Sequence, residues 1–178
     1  ATGVPNFFSQ VLSRSPSRSR PIWFEALRKA FCSQAATLAL LPADAFIADA
    51  ATCAGQMAAA LERAAGSGAI LTIAIKPDHA ATGFGYLEMG EERVSGATGT
   101  VREVKRFVEK PDAATAQGYV ESGNFAWNAG MFFWRVGTFL AEAERNAPEL
   151  AAFVREFPSG DFSAFLAQRF PTLPKISV

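Results

Sequence analysis

The chain has 178 residues, of which 49% are apolar and 19% charged, and its formal net charge is zero at pH 7. This length and composition suit one globular core. The neutral charge excludes a chain-wide basic field for nucleic acids, and no apolar run approaches the ~20 residues of a membrane span. The first residues lack a signal peptide's apolar region, and Cys32 and Cys53 lack metal-ligand spacing. We therefore expect a single domain over residues 1–178 in the cytoplasm, with no nucleic-acid or membrane partner.

The first half of the chain predicts a strand–helix–strand unit. The apolar run Thr37–Leu41 precedes a proline and is typical of a buried strand. The alanine-rich stretch 49–65 favours a helix, and the β-branched run 69–75 favours the next strand. Because such units usually join parallel strands by a right-handed crossover, we expect a mostly parallel sheet. Helical spacing over 22–31 predicts an earlier helix.

The second half predicts two strands around a helix, and then three more helices. A hairpin tip over 90–99 leads into a strand at Val104–Val108, which Pro111 ends. Asp112 is placed to cap a helix over 113–121, and Ser122-Gly123 closes it. The apolar run Phe125–Trp134 forms the next strand. Apolar residues at helical spacing predict helices over 136–146, 148–157 and 161–170.

Four short motifs occur in order along the chain: Leu41-Pro42-Ala43-Asp44, Thr82-Gly83-Phe84-Gly85-Tyr86, Phe107-Val108-Glu109-Lys110-Pro111 and Trp127-Asn128-Ala129-Gly130-Met131-Phe132. Together they resemble the mannose-1-phosphate guanylyltransferases, which are sugar-nucleotide pyrophosphorylases. The resemblance covers roughly Leu38 to Val178. It implies an α/β fold, a Rossmann-like nucleotidyltransferase three-layer sandwich with a mixed, mostly parallel sheet. Four ordered motifs are a strong signal, whereas Glu-Lys-Pro alone is a weak one.

Charged candidates follow two of the predicted strands, where open α/β sheets place their ligands. Asp44 suits Mg²⁺, which takes one or two carboxylates plus phosphate oxygens, although an aspartate after Pro-Ala is otherwise commonly a cap. Glu109 would accept hydrogen bonds from sugar hydroxyls, and Lys110 would offer a point charge to the sugar phosphate. The alternative is an exposed Glu-Lys pair of little energetic weight. Strict alternation sends the two side chains to opposite faces, so both serve one pocket only if the backbone bends before Pro111.

Two uncharged candidates complete the predicted pocket. Asn128 is the one strongly polar side chain of its apolar strand, where an unsatisfied amide would cost about 1–3 kcal/mol. A structural partner is one answer, and a sugar hydroxyl is the one that the resemblance implies. Gly85 would let its backbone approach the sugar closely, although an ordinary turn glycine is equally expected. We interpret His79 as a loop residue and not as a catalyst.

The resemblance implies transfer of a guanylyl group from GTP to mannose 1-phosphate, giving GDP-mannose and pyrophosphate. It implies Mg²⁺ as the cofactor, with Asp44 as metal ligand and with Asp44 and Lys110 as catalytic residues, and it leaves a homodimer open. Two alternatives remain. One is a non-catalytic fragment or regulatory relative that keeps a sugar-phosphate pocket. The other is a pyrophosphorylase for another base and sugar, for example uridylyl transfer to glucose 1-phosphate.

The ends of the chain depart from the resembled family. No Gly-Gly-x-Gly-Thr-Arg phosphate loop precedes Leu38, and the family's second metal-binding aspartate would come just after Val178. Positioning of the triphosphate is most of the catalysis in this chemistry. We therefore expect a domain that lacks elements at both ends, and a chain that alone does not turn over substrate.

Overall fold

The computed structural model describes residues 33–97, 99–158 and 161–174, so the helix expected over 22–31 lies outside the described residues. The described strands are β1 Thr37–Leu40, β2 Leu71–Ile75, β3 Tyr86–Gly96, β4 Gly99–Val108 and β5 Phe125–Arg135. The helices are α1 Ala50–Gly66, α2 Ala113–Ser122, α3 Val136–Asn146, α4 Pro148–Arg155 and α5 Phe162–Arg169, with a 3₁₀ turn at Phe170–Thr172. The predicted types of these elements are confirmed, with small differences at most ends and a larger one at the hairpin of β3 and β4, whose strands take up most of the predicted tip.

β5 lies in the middle of the sheet, between β1 and β2. Phe132 pairs with Leu40 of β1 and also with Thr72 of β2, and both ladders are antiparallel. β1 and β2 therefore run in the same direction without being neighbours. The expectation of a mostly parallel sheet does not hold for the described strands, whose pairings are all antiparallel. The helix α1 does join two strands of equal direction, but β5 runs between them in the opposite one.

β3 and β4 form a long hairpin whose outer part is exposed. The predicted tip is shorter in the structure, because Gly96 still pairs with Gly99. Two salt bridges join the strands on the surface: Arg93 with Glu103, and Arg106 with Glu88 at 3.1 Å. Three apolar residues are exposed on the same hairpin: Val94, Val104 and Phe107. Among the described strands β4 has β3 as its one neighbour, so it forms an edge of the sheet.

Two clusters of buried side chains hold helices against β5. Ala64 of α1 packs with Met131 and Phe133. Ala116 of α2 packs with Tyr86 and Trp127. Each cluster joins a small residue on the helix to large side chains of the sheet, which allows close approach of helix and strand.

The helix α2 begins and ends at the predicted residues. The carboxylate of Asp112 accepts a hydrogen bond from the backbone N–H of Thr115 at 2.8 Å, which satisfies an otherwise unpaired donor of the first turn. Gly123 has a φ of +68°, and its N–H donates to the carbonyl of Val120. A glycine takes this left-handed conformation without the penalty that a Cβ brings.

The chain divides into two compact units, residues 35–139 and residues 1–34 with 140–178. The first contains all of the described strands together with α1 and α2. In the second, phenylalanine rings of α4 and α5 pack together, Phe153 stacking on Phe165 with ring centroids 5.3 Å apart. A single domain over the whole chain stays a prediction. Within the described residues, no helix is both long and apolar enough to cross a bilayer.

Candidate functional site

The middle of β5 bulges where it faces β2. Thr72 pairs with Phe132, and Ala74 pairs with Asn128. One residue of β2 therefore stands opposite the three residues Ala129–Met131. The middle residue of the three is a glycine with a φ of +69°. Bulges of this kind bend a strand and redirect its side chains, and they are frequent beside active sites.

Asn128 is held at the start of the bulge by its side-chain oxygen. Oδ1 accepts hydrogen bonds from the hydroxyl of Thr72 at 2.8 Å and from the backbone N–H of Gly130 at 3.2 Å. Because a backbone N–H can only donate, the amide atom that faces Gly130 is the oxygen. Nδ2 has no partner among the described residues, and it is not one of their buried unpaired atoms. The Asn128 amide therefore has two N–H donors free for a ligand.

Gly85 lies directly beside Asn128. The backbone N–H of Asn128 donates to the carbonyl of Gly85 at 2.9 Å. A Cβ built on Gly85 would lie 3.0 Å from Cζ of Phe107, closer than side chains normally approach. The structure thus supplies a packing reason for this glycine. Close approach to a sugar, the reason predicted from the sequence, stays a prediction.

The end of β4 belongs to the same part of the sheet. Tyr86 pairs with Val108 of β4 and with Trp127 of β5. Val108, Tyr86 and Trp127 thus form one row across the three strands. Three of the predicted site residues are the sequence neighbours of that row: Gly85, Glu109 and Asn128. Residues opposite each other in antiparallel strands lie about 5 Å apart, so the register brings these three backbone positions together.

Lys110 leaves the extended conformation with a φ of +40°. It is the one non-glycine residue with a positive φ in the described part of the chain. Such backbone strain costs about 1–3 kcal/mol and clusters at functional sites. The bend that a shared pocket for Glu109 and Lys110 requires is therefore present. Both side chains are exposed, and the structure pairs neither with the other. This exposure is also what the alternative of a surface Glu-Lys pair expects, so the roles of both residues stay predictions.

Asp44 is exposed in the turn after β1. No hydrogen bond or ion pair within the described residues links it to the other predicted site residues. The described chain also contains no group of three or more histidine, cysteine, aspartate and glutamate side chains able to hold a metal ion. The strand register and a hydrogen bond bring Gly85, Asn128 and the end of β4 together, and neither involves Asp44.

Aromatic contacts fix the loop between β2 and β3 beside this site. The rings of His79 and Phe84 meet Trp127 edge-on, with centroids 4.9 and 5.1 Å away. The hydroxyl of Tyr86 donates to the carbonyl of Ala81 at 2.9 Å. His79 lies in this loop, as predicted, with its Nδ1 2.5 Å from the carboxylate of Asp78. The buried indole N–H of Trp127 has no partner in the described part of the chain.

Two residues at the site were not among the predicted site residues. Trp127 supports the loop, but an apolar strand residue carries no sign of that role. Thr72 contacts Asn128, and its signal was available, since it is the one polar side chain of β2.

The sequence profile of the nucleotidyl transferase family matches residues 24–164, which is most of the chain. The chain belongs to the nucleotidyl transferase family. Among curated family relatives, the xanthan biosynthesis protein XanB of Xanthomonas campestris pv. campestris (strain B100) is 38% identical over 146 residues, covering 79% of this chain and 30% of that protein. A mannose-1-phosphate guanylyltransferase of Escherichia coli (strain K12) is 42% identical over 84 residues, covering 47% of this chain and 18% of that protein. The chain thus spans a minor part of the curated relatives that it matches.

Two solved structures share this fold. One is described as a mannose-1-phosphate geranyltransferase from Thermus thermophilus, with a TM-score of 0.67 and 26% identity over 79% of this chain and 39% of that one. The other is described as a mannose-6-phosphate isomerase from Helicobacter pylori, with a TM-score of 0.59 and 28% identity over 73% of this chain and 47% of that one. With the family match, the first of them confirms the mixed α/β fold that the motifs imply.

Proposed function

We propose that this chain forms the sugar-phosphate part of a mannose-1-phosphate guanylyltransferase. In the proposed reaction a phosphate oxygen of mannose 1-phosphate attacks the α-phosphorus of GTP. A new P–O bond forms, the bond from the α-phosphorus to the bridging oxygen breaks, and pyrophosphate leaves with that oxygen and its electron pair. GDP-mannose is the other product. Such transfers depend on positioning and on charge neutralisation more than on covalent help from the protein.

The observation that carries this proposal is the meeting of three motifs at one place. Gly85 is hydrogen-bonded to Asn128, and the register puts Glu109 beside them. These residues come from separate motifs, up to 43 positions apart in the printed sequence. A free amide donor, a carboxylate that no described residue pairs and a cation suit the hydroxyls and the phosphate of a sugar phosphate.

Each proposed role follows from the chemistry of the side chain. Glu109 accepts hydrogen bonds from sugar hydroxyls, and Asn128 donates to them. Lys110 neutralises charge on the sugar phosphate, where its strained backbone holds it at the end of β4. Gly85 leaves room for the sugar beside the sheet.

Asp44 is the residue we propose as the Mg²⁺ ligand. Its carboxylate is exposed and has no hydrogen-bond or ion-pair partner among the described residues, so it is free to bind a cation. One carboxylate fits a Mg²⁺ ion that is otherwise held by water and substrate phosphates. When bound, the ion would neutralise charge on the phosphates.

Mannose is preferred over glucose in this proposal because one curated relative and both solved neighbours carry mannose phosphates in their names. We also propose the Rossmann-like three-layer arrangement for the wider fold. The cytoplasmic location and the homodimer stay predictions.

The test is a pyrophosphate-release assay on the natural full-length protein that carries this chain. We expect turnover with GTP, Mg²⁺ and mannose 1-phosphate, and much less with UTP and glucose 1-phosphate. Lys110→Ala should lower kcat/KM about 100- to 1,000-fold, as removal of a transition-state charge contact usually does. Lys105→Ala, which removes an exposed lysine from the same strand, should leave kcat/KM unchanged. Equal values for the two variants would contradict the role of Lys110, and absence of guanylyl transfer would contradict the function.

A further inference from the structure

The hydroxyl of Thr72 bridges the two ends of the β5 bulge. It lies 2.8 Å from Oδ1 of Asn128 and 3.0 Å from the backbone carbonyl of Met131. A hydroxyl has one hydrogen, so the two acceptors share it. The side chain that starts the bulge and the carbonyl that ends it are thus tied to one atom on the neighbouring strand.

The Gly130 N–H determines which way the Asn128 amide is turned, and the Thr72 hydroxyl adds a second donor to the same oxygen. The Thr72 hydroxyl and the Gly130 N–H both donate to Oδ1, so the two lone pairs of that oxygen are used. Rotation of the amide by half a turn would put Nδ2 against the Gly130 N–H, with two donors facing each other. The oxygen is therefore fixed toward the sheet, and Nδ2 is left as the group that can reach a ligand.

We propose that Thr72 is a positioning residue for sugar recognition. It acts through Asn128, holding the amide so that its N–H groups donate to a hydroxyl oxygen of the bound sugar phosphate. This rests on the proposed function of the site. Thr72 itself does not need to touch the ligand, because its single hydrogen is already shared inside the protein.

The first experiment compares Thr72→Val with Thr72→Ser. Valine keeps the shape of the side chain and loses the hydroxyl, whereas serine keeps the hydroxyl. Titration calorimetry with mannose 1-phosphate should show Kd raised about five- to tenfold by Thr72→Val, as expected for one lost hydrogen bond, and within about twofold of the unaltered protein for Thr72→Ser. Thr100→Val is the matched control, since the Thr100 hydroxyl contacts Ser95 on the exposed hairpin. It should bind as the unaltered protein does.

A double-substitution cycle separates positioning from a general loss of structure. Asn128→Ala should weaken binding at least as much as Thr72→Val does. Adding Thr72→Val to Asn128→Ala should cause no further loss, because the group that Thr72 positions is already gone. Additive losses, or a serine variant as weak as the valine one, would overturn the proposal.

Hydrogen exchange gives a readout that needs no ligand. The Gly130 amide donates to the oxygen that Thr72 holds, so its exchange should be faster in Thr72→Val and unchanged in Thr72→Ser. Unchanged exchange at Gly130 in the valine variant would overturn the bridge itself. If exchange responds but the unaltered protein does not bind mannose 1-phosphate, the proposed function fails and the bridge stands as a structural device only.

Discussion

Two consecutive segments of the largely apolar strand β5 differ in structure. The regular segment, Phe132–Arg135, pairs residue by residue with β1 and contributes the fully buried Phe133. The bulged segment, Asn128–Met131, departs from the register of β2 and carries a positive φ. The regular segment contributes Phe133 to the core, whereas the bulged one holds the amide of Asn128 through two hydrogen bonds to its oxygen. A continuous apolar run therefore does not mean that a strand has one role.

The largest expected effect is a loss of stability when the regular segment loses its buried ring. Phe133→Ala should lower the free energy of unfolding by about 3–5 kcal/mol, because a fully buried ring is lost and a cavity remains. Phe132→Ala is the control of the same type one position earlier, where the ring is half-buried, and it should cost less. Urea denaturation measures both. A smaller loss for Phe133→Ala than for Phe132→Ala would contradict the contribution of Phe133 to the core.

The next effect separates strain from binding. Gly130 and Gly123 have φ values of +69° and +68°, and nothing lies within 4 Å of a Cβ built on either. Alanine at either position should therefore cost about the same, roughly 1–2 kcal/mol of left-handed backbone strain. Only Gly130→Ala should also weaken binding of mannose 1-phosphate, because it alone disturbs the bulge that holds Asn128. If the two variants bind mannose 1-phosphate with equal affinity, the bulge has no role in sugar recognition.

Gly85→Ala should have a smaller effect on stability. The new Cβ would meet the Phe107 ring at 3.0 Å, but this ring is 39% exposed and can shift outward. We expect a loss of about 1 kcal/mol, the low end of the usual overpacking cost, and a clear loss of sugar binding. Gly118→Ala is the control, because its added methyl group meets nothing within 4 Å. A Gly85→Ala protein that binds the sugar phosphate normally would reduce Gly85 to a packing role.

The smallest effect concerns pH. The backbone N–H of Thr115, followed by its hydroxyl, holds the pKa of Asp112 below its ordinary value of 3.8. A carboxyl whose pKa falls on folding stabilises the fold fully above that ordinary value, and the contribution is lost as the pH drops through the folded value. The melting temperature of the unaltered protein should therefore fall more below about pH 4 than that of the Asp112→Asn variant. Asparagine can still cap the helix, but it does not titrate. Parallel pH profiles would show that this cap adds nothing measurable.

Local chemistry made much of the fold predictable. The helix α2 has a capping aspartate and a closing glycine at the places that the sequence indicated, and α1 follows from its alanine-rich composition. Strand direction was not predictable in the same way. The order β1–α1–β2 fixes the relative direction of two strands, but nothing local says that β5 comes between them.

The candidate site was predicted by residue type, and its geometry was not. Motifs named Gly85, Glu109, Lys110 and Asn128, and the register brings three of their backbone positions together. The hydrogen bond from Thr72 joins residues 56 positions apart, so only the folded chain brings it about. The bulge depends on a glycine in β5 and on the pairing of β5 with β2. The sequence shows the glycine, but it does not show the pairing.

The exposed edge of β4 bears on how the protein behaves at high concentration. An unpaired strand edge with exposed apolar residues is a template for strands of other molecules, and charged side chains along it are the usual protection. Over these 178 residues positive and negative charges cancel at pH 7, so the molecules have little overall repulsion. Protection from aggregation therefore falls to the local charges of the hairpin, such as Arg93 and Glu103. Loss of these hairpin charges is therefore expected to favour aggregation more than loss of equal charges elsewhere in the described part of the chain.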